Sequence, residues 1–237
     1  MSIRPSMPTI YTEIDRRVAP LSQEFADLGV ATVHESQGRG GLMNPTVRPL
    51  IEGARVAGPA VTCLNQPGDN LMLIAALELC QPGDVLVVGN LAPVAVGMVG
   101  EIIVSMLRAR GVAGLVLDSG VRDVRELRRI GLPVWSQFIT AAGTIKSGPG
   151  WVNVPIDVAG ATVHPGDMVV ADDDGVVVVP ASEAEDVLAR SRDRVAKEAE
   201  LLGKIERGDV PGLPPELSAR LDSLGVRRVS GRAEAVR

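Results

Sequence analysis

Apolar positions run along this chain in blocks, and the residues between the blocks predict the elements. "PTIYTEIDRRVAPLSQEFADLGVATVHESQGR" (8–39) repeats apolar residues at roughly helical spacing behind Pro and Thr signals. It predicts one or two short helices before Thr32. "ARVAGPAVTCLN" (54–65) is a strand stopped by Pro67. In "GDNLMLIAALELCQPGDVLVVGN" (68–90) a Gly-Asp-Asn turn opens an apolar helix from Leu71 to Cys80, "QPGD" ends it, and "VLVVG" is a buried strand. The order helix, glycine stop, strand recurs in "VGEIIVSMLRARGVAGLVLD" (99–118), and "LRRIGLPVWS" (127–136) gives another short helix and strand. Alternation of this kind predicts an α/β architecture with at least a partly parallel sheet.

From about Gly143 the texture changes. "GWVNVPIDVAGATVHPGDMVVADDDGVVVVP" (150–180) holds short apolar runs cut by Gly, Pro and Asp turns, the pattern of a β-meander or barrel. "ASEAEDVLARSRDRVAKEAELLGKIERGD" (181–209) is one long charged helix with Val187, Leu188, Val195, Leu201 and Leu202 available for packing. The stretch after Val210 carries Pro, Gly and several arginines and is expected to be loosely held. The expected division is a core over 1–182 and a C-terminal helix and tail over 183–237, packing on the core or on a neighbouring protomer.

Composition sharpens the picture. Hydrophobic residues make up 46% of the 237 but aromatics only 2%, so the core is built from Val, Leu, Ile and Ala. A net charge of −5 gives no positive field that would argue for nucleic acid or an anionic membrane. Cys63 and Cys80 sit in apolar runs, as buried thiols of a reducing compartment do. The N-terminus has no apolar signal core and no run of 18 apolar residues occurs. The expectation is a cytoplasmic protein with no nucleic-acid and no membrane partner.

The chemistry gathers around "LVLDSGVRDV" (115–124). A buried strand runs into Asp118, and the following turn presents Arg122 and Asp123 side by side. One helix earlier, Gly100-Glu101 opens "EIIVSMLRAR". A helix start and a post-strand loop at one edge of an α/β sheet is where ligands bind. Free N–H groups at the helix start suit an anion. Arg122 offers a bidentate grip on a carboxylate, while Asp123, Glu101 and Asp118 are hard oxygen ligands suited to Mg²⁺ or Mn²⁺. A solvated surface pair explains Arg122-Asp123 equally well from spacing alone. His34, before a glycine-rich loop, fits a structural histidine better than a general base. "PGDN" (67–70) fits a helix cap, "ADDDG" (171–175) fits a β-turn rather than a calcium loop, and Lys146 fits a surface lysine. No GxGxxG, GxxxxGK[ST] or Ser-His-Asp signature is visible.

Taken together, "TVHESQGRGGLM", "PGDNLMLIAALELCQPGDVLVV", "GVAGLVLDSGVRD", "LPVWS", "NVPIDVAGATVHPGDMVVADDDGVVVVP" and "SRDRVAKEAE" resemble the 4-hydroxy-4-methyl-2-oxoglutarate / 4-carboxy-4-hydroxy-2-oxoadipate aldolases. These are relatives of the regulator of ribonuclease E activity A, and the resemblance covers roughly residues 25–200. It implies an α-β-β-α sandwich of the swivelling-domain type, assembled as homotrimers or homohexamers with sites between protomers. It also implies a divalent-metal-dependent class II pyruvate aldolase with oxaloacetate decarboxylase side activity, acting on a small 2-oxo acid. The family's spacing of an acid, twenty residues and Arg-Asp is met by Glu101 and Arg122-Asp123. The resemblance assigns Asp123 as direct metal ligand and Glu101 as an acid acting through water. It assigns Arg122 and the backbone N–H groups of Gly100, Glu101, Ile102 and Ile103 as the pyruvoyl clamp. Glu198 resembles the acid that a neighbouring protomer supplies through water, with Glu200 the alternative two residues on. The rival reading is a non-catalytic regulator that binds a ribonuclease. A third is the same chemistry on a sugar-derived or aromatic-derived hydroxy-oxo acid.

Overall fold

The computed structural model describes residues 5–229; the last arginines of the tail lie outside them. The chain divides into two compact units, 1–195 and 196–237. The first begins with a 3-10 turn (Ala19–Leu21) and two short helices, α1 (Ser22–Leu28) and α2 (Val30–Ser36). The second helix runs past Thr32 because Gly29, at φ 78°, lets the chain turn and restart without a long loop.

The main sheet has the order β1-β7-β5-β3-β2-β12-β13. Its strands are β1 (Arg48–Pro49), β2 (Val56–Asn65), β3 (Val85–Asn90), β5 (Gly114–Leu117), β7 (Val134–Ser136), β12 (Met168–Asp172) and β13 (Gly175–Val179), and β9 (Trp151–Val152) pairs with β2 off this path. From β2 through β3 and β5 to β7 the strands are parallel. The connecting helices α3 (Leu71–Leu79), α4 (Glu101–Ala109) and α5 (Val124–Ile130) pack on one face, burying Leu73, Leu77, Val104, Leu107 and Leu127 against Val61, Leu86 and Leu115. This is the βαβ arrangement that the alternating pattern predicts.

The other face closes on itself. Trp135 of β7 is fully buried and its indole N–H donates to the carbonyl of Asp172 in β12 at 2.8 Å, so the two ends of the sheet meet. Backbone bonds from Met43 N–H to Val176 O and from Val178 N–H to Gly41 O carry the chain along β13, and β1 then joins β7. Gly41 has φ 71°, and a Cβ there would strike the carbonyl of Val178, so this crossing requires glycine. The nearly closed, barrel-like interior is filled by Val85, Val87, Val116, Val169 and Val176 under the hairpin of β10 (Ile156–Val158) and β11 (Ala161–Val163). On the far side α1, α2 and the first turns of α6 (Ala184–Glu206) cover β12 and β13 through Phe25, Val33, Val187 and Leu188. Two helix layers thus enclose the curled sheet, the expected α-β-β-α arrangement with a long C-terminal helix.

A second tier was not foreseen. Strands β4 (Gly97–Val99), β6 (Gly120–Val121) and β8 (Phe138–Ile139) form a small parallel sheet of their own. Each follows a strand of the main sheet, β3, β5 or β7, after a break. In the last two cases the break is one or two residues, at Asp118-Ser119 and at Gln137.

In the second unit the end of α6 exposes Leu201 and Leu202, as Val195 is exposed at the close of the first, so these three are not core residues within one chain. Helix α7 (Pro215–Ser223) follows in the segment expected to be loosely held. Among the described residues no helix is long and apolar enough to cross a membrane.

Candidate active site

The small second sheet brings the candidate residues together. Gly97 pairs with Gly120 and Val99 with Val121, and the Arg122 N–H donates to the Val99 carbonyl at 2.9 Å. Gly100 and Arg122 therefore leave neighbouring strand ends together. Helix α4 starts at Glu101, with Gly100 as its N-cap. The first-turn N–H groups of Glu101, Ile102 and Ile103 have no partner four residues back inside the helix. That of Glu101 is taken by Asp123, whose Oδ2 accepts it at 3.1 Å. Asp123 heads α5 yet makes no cap there; its carboxylate is turned onto the positive end of the neighbouring helix. It reaches that position from a left-handed backbone, φ 56° and ψ 38°, unusual for a residue with a side chain.

The pieces fit closely. A Cβ on Gly100 would strike Asp123 Oδ2 and lie 3.0 Å from Arg122 Nε, so a larger residue at the helix start would displace those two side chains. Arg122 Nε stands 3.7 Å from Asp123 Oδ2, with both side chains open to solvent, at 48% and 41% exposed. Glu101 accepts from Arg129 Nη2 at 3.2 Å. That partner was not picked out from the sequence, because "RELRRI" is the pattern of any solvated helix face.

The remaining candidates lie elsewhere. Asp118 is half-buried at the break between β5 and β6, where its Oδ1 accepts from Asn90 Nδ2 at 2.9 Å. Burial pushes its carboxyl above the usual range against the pull of the Asn90 donors. His34 lies on α2, in the helix layer that covers β12 and β13 rather than the layer of α4 and α5. The "ADDDG" acids turn the β12–β13 hairpin: Asp172 accepts from Val30 N–H and Asp174 N–H, and Asp173 from Gly53 N–H. Cys63 and Cys80 are buried free thiols, and burial pushes both up to about 12. Glu198 and Glu200 lie in the second unit, where Glu200 pairs with Lys204 at 2.8 Å.

Among the described residues no three His, Cys, Asp or Glu side chains come together as a metal cage. What Asp123 and Glu101 offer is two open carboxylates flanking a glycine cradle. That donor set fits Mg²⁺ or Mn²⁺, which keep several waters and need few protein ligands, and does not fit a closed zinc site.

A family model described as RraA-like, Aldolase/RraA, matches residues 21–178. A protein of Halalkalibacterium halodurans named "Putative 4-hydroxy-4-methyl-2-oxoglutarate aldolase" is 35% identical over 154 residues, 65% of this chain and 73% of its own length. One of the same name from Burkholderia multivorans is 36% identical over 161 residues, 67% of this chain and 98% of its own. Among solved structures, Streptomyces coelicolor RraAS2, described as an unusual member of the RNase ES inhibitor RraA protein family, matches with a TM-score of 0.72 and 32% identity. That match covers 79% of this chain and 98% of the other.

Proposed function

Starting from the fact that this chain belongs to the RraA-like aldolase family, we propose that it is a divalent-metal-dependent class II aldolase. In this reading it cleaves a 4-hydroxy-2-oxo acid to pyruvate and a second oxo acid, and decarboxylates oxaloacetate as a side reaction. The observation that carries the proposal is the meeting of the α4 N-terminus, Arg122 and Asp123 around Gly100.

Asp123 and Glu101 would hold the ion, Asp123 directly and Glu101 through water. The bound ion supplies Lewis-acid polarisation of the 2-oxo group. Arg122 holds the substrate carboxylate and C2 oxygen with its planar fork, and the N–H groups of Ile102 and Ile103 point at the same carboxylate. When the C3–C4 bond breaks, negative charge moves onto the C2 oxygen, and the guanidinium stabilises the resulting pyruvate enolate. The C4 hydroxyl would pass its proton through ordered water to the Glu101 carboxylate, and return of a proton by the same route to C3 of the enolate would give pyruvate. Ile102, 77% exposed, together with exposed Met106 one turn further along α4 and exposed Ile139 on β8, supports burial of this edge against a second copy of the chain. Glu198 of that copy then completes the acid set within a trimer or hexamer.

The test is release of pyruvate from oxaloacetate and from a panel of 4-hydroxy-2-oxo acids, with Mg²⁺, with Mn²⁺ and with excess chelator. Turnover that the chelator abolishes is expected. No turnover on any substrate, with binding to a ribonuclease, would instead establish the regulator, a reading the likeness to the Streptomyces coelicolor protein favours.

A further inference from the structure

The turn at 67–70 reads locally as a helix cap, but in the folded chain it reaches much further. Asp69 is only 1% exposed. Its Oδ1 accepts the Leu71 N–H at 2.8 Å, which is the local cap. Its Oδ2 accepts the N–H groups of Ser147 and Gly148, both at 2.6 Å, and the Ser147 hydroxyl at 3.4 Å. Asn70, 4% exposed, adds two ties: its N–H donates to the Ile145 carbonyl at 3.1 Å and its Nδ2 to the Met98 carbonyl in β4 at 2.9 Å. The loop over 141–150 is thereby fastened to the start of α3 and to the strand that leads into Gly100. The same loop borders Arg122. Gly97 N–H donates to the Ala142 carbonyl at 2.7 Å, and a Cβ built on Gly143 would lie 3.6 Å from Arg122 Nη1.

We propose that Asp69 is a positioning residue for the Arg122 clamp, its carboxylate fastening the loop that borders the guanidinium. The inference builds on the role given to Arg122 in the proposed function. An ionised carboxylate suits the task because both oxygens are acceptors only. A carboxamide presents one oxygen and two donors, and so turns N–H against N–H at one of the ties. Arginine has many rotamers, and small displacements of a gripping group cost rate steeply.

The experiment uses the full chain with Mn²⁺ and compares Asp69→Asn, Asp69→Glu and, as control, Ser147→Ala, which loses only the 3.4 Å hydroxyl contact. Four quantities are measured: amide exchange at Leu71 and across 141–150, affinity for oxalate as a planar mimic of the enolate, and kcat and KM on oxaloacetate. Both Asp69 variants should lose protection among the three amides that the carboxylate holds, Leu71, Ser147 and Gly148, and nowhere else. Oxalate should bind about tenfold more weakly, and kcat/KM should fall on the order of ten- to a hundredfold. The control should match the wild type. Unchanged protection, or lost protection with wild-type oxalate affinity and KM, overturns the assignment, and so does global unfolding of both variants. A wild type that neither binds oxalate nor turns over a 2-oxo acid removes the functional reading and this inference together. A competent wild type with indifferent variants removes the inference alone.

Discussion

Arg122 is asked for shape as well as charge. A planar fork reaches a carboxylate and an adjacent oxygen at once, and an ammonium does not. Arg122→Lys should therefore lose turnover on the order of a hundredfold, the scale of removing one oxyanion donor, while circular dichroism stays native. Near wild-type kcat/KM in the folded variant would sink the clamp. Asp118 poses the opposite case, an acid that the fold would rather keep neutral. Its carboxyl is raised by burial, so the folded state binds that proton more tightly than the unfolded chain, and ionisation costs stability once pH exceeds the unfolded value of about 3.9. Asp118→Asn removes that cost, keeps an oxygen for the Asn90 donor, and offers N–H to Asn90 Oδ1, which is buried with no partner in the described structure. Its melting temperature should exceed that of the wild type at pH 7. The gain should shrink as pH falls through the raised value towards the unfolded one, and a gain that is constant with pH would contradict the sign.

At the scale of elements, what the sequence reveals depends on length and on where the bonds come from. Helices α3 and α4 and strands β2, β3 and β5 are each long enough, or apolar enough between Gly and Pro stops, to be read directly. Strands β4, β6 and β8 are two or three residues each. Nothing local distinguishes them from turns, since only mutual parallel pairing makes them strands. The site shows the same split. Glu101, Arg122 and Asp123 are visible through the family resemblance and their places at a helix start and a strand end, whereas the Arg129 partner and the ties of Asp69 to Ser147 and Gly148 join residues 28, 78 and 79 apart. The ion pair that seats the N-terminal segment, with a buried acid and a partly exposed arginine, is equally non-local. Arg16 donates to both oxygens of Asp84 at 2.9 and 2.8 Å, and Asp84 is fully buried. Arg16→Met leaves that carboxylate without its cation and should cost about 3 kcal/mol in urea unfolding. Adding Asp84→Asn should recover part of the loss, since the two sites are coupled. Equal additive losses would show that the pair carries no such energy.

At the scale of the molecule, the proposed shared site makes activity a property of the assembly. Inactive Asp123→Ala and Glu198→Ala chains, mixed after dissociation and reassembly, should regain part of the wild-type turnover, because some interfaces then carry both acids. Mixed oligomers shown by mass without recovered activity would place the working acid in its own chain or at Glu200. Finally, the broken strands have a consequence for how such a protein tolerates substitution. The long lower sheet carries the packed valines and most of the ladder bonds, while the short upper sheet carries the proposed reacting groups on few of them. Local opening should therefore start in the upper tier and leave the lower one closed. Substitutions above the break should then reshape the proposed site while drawing little on the stability held below it.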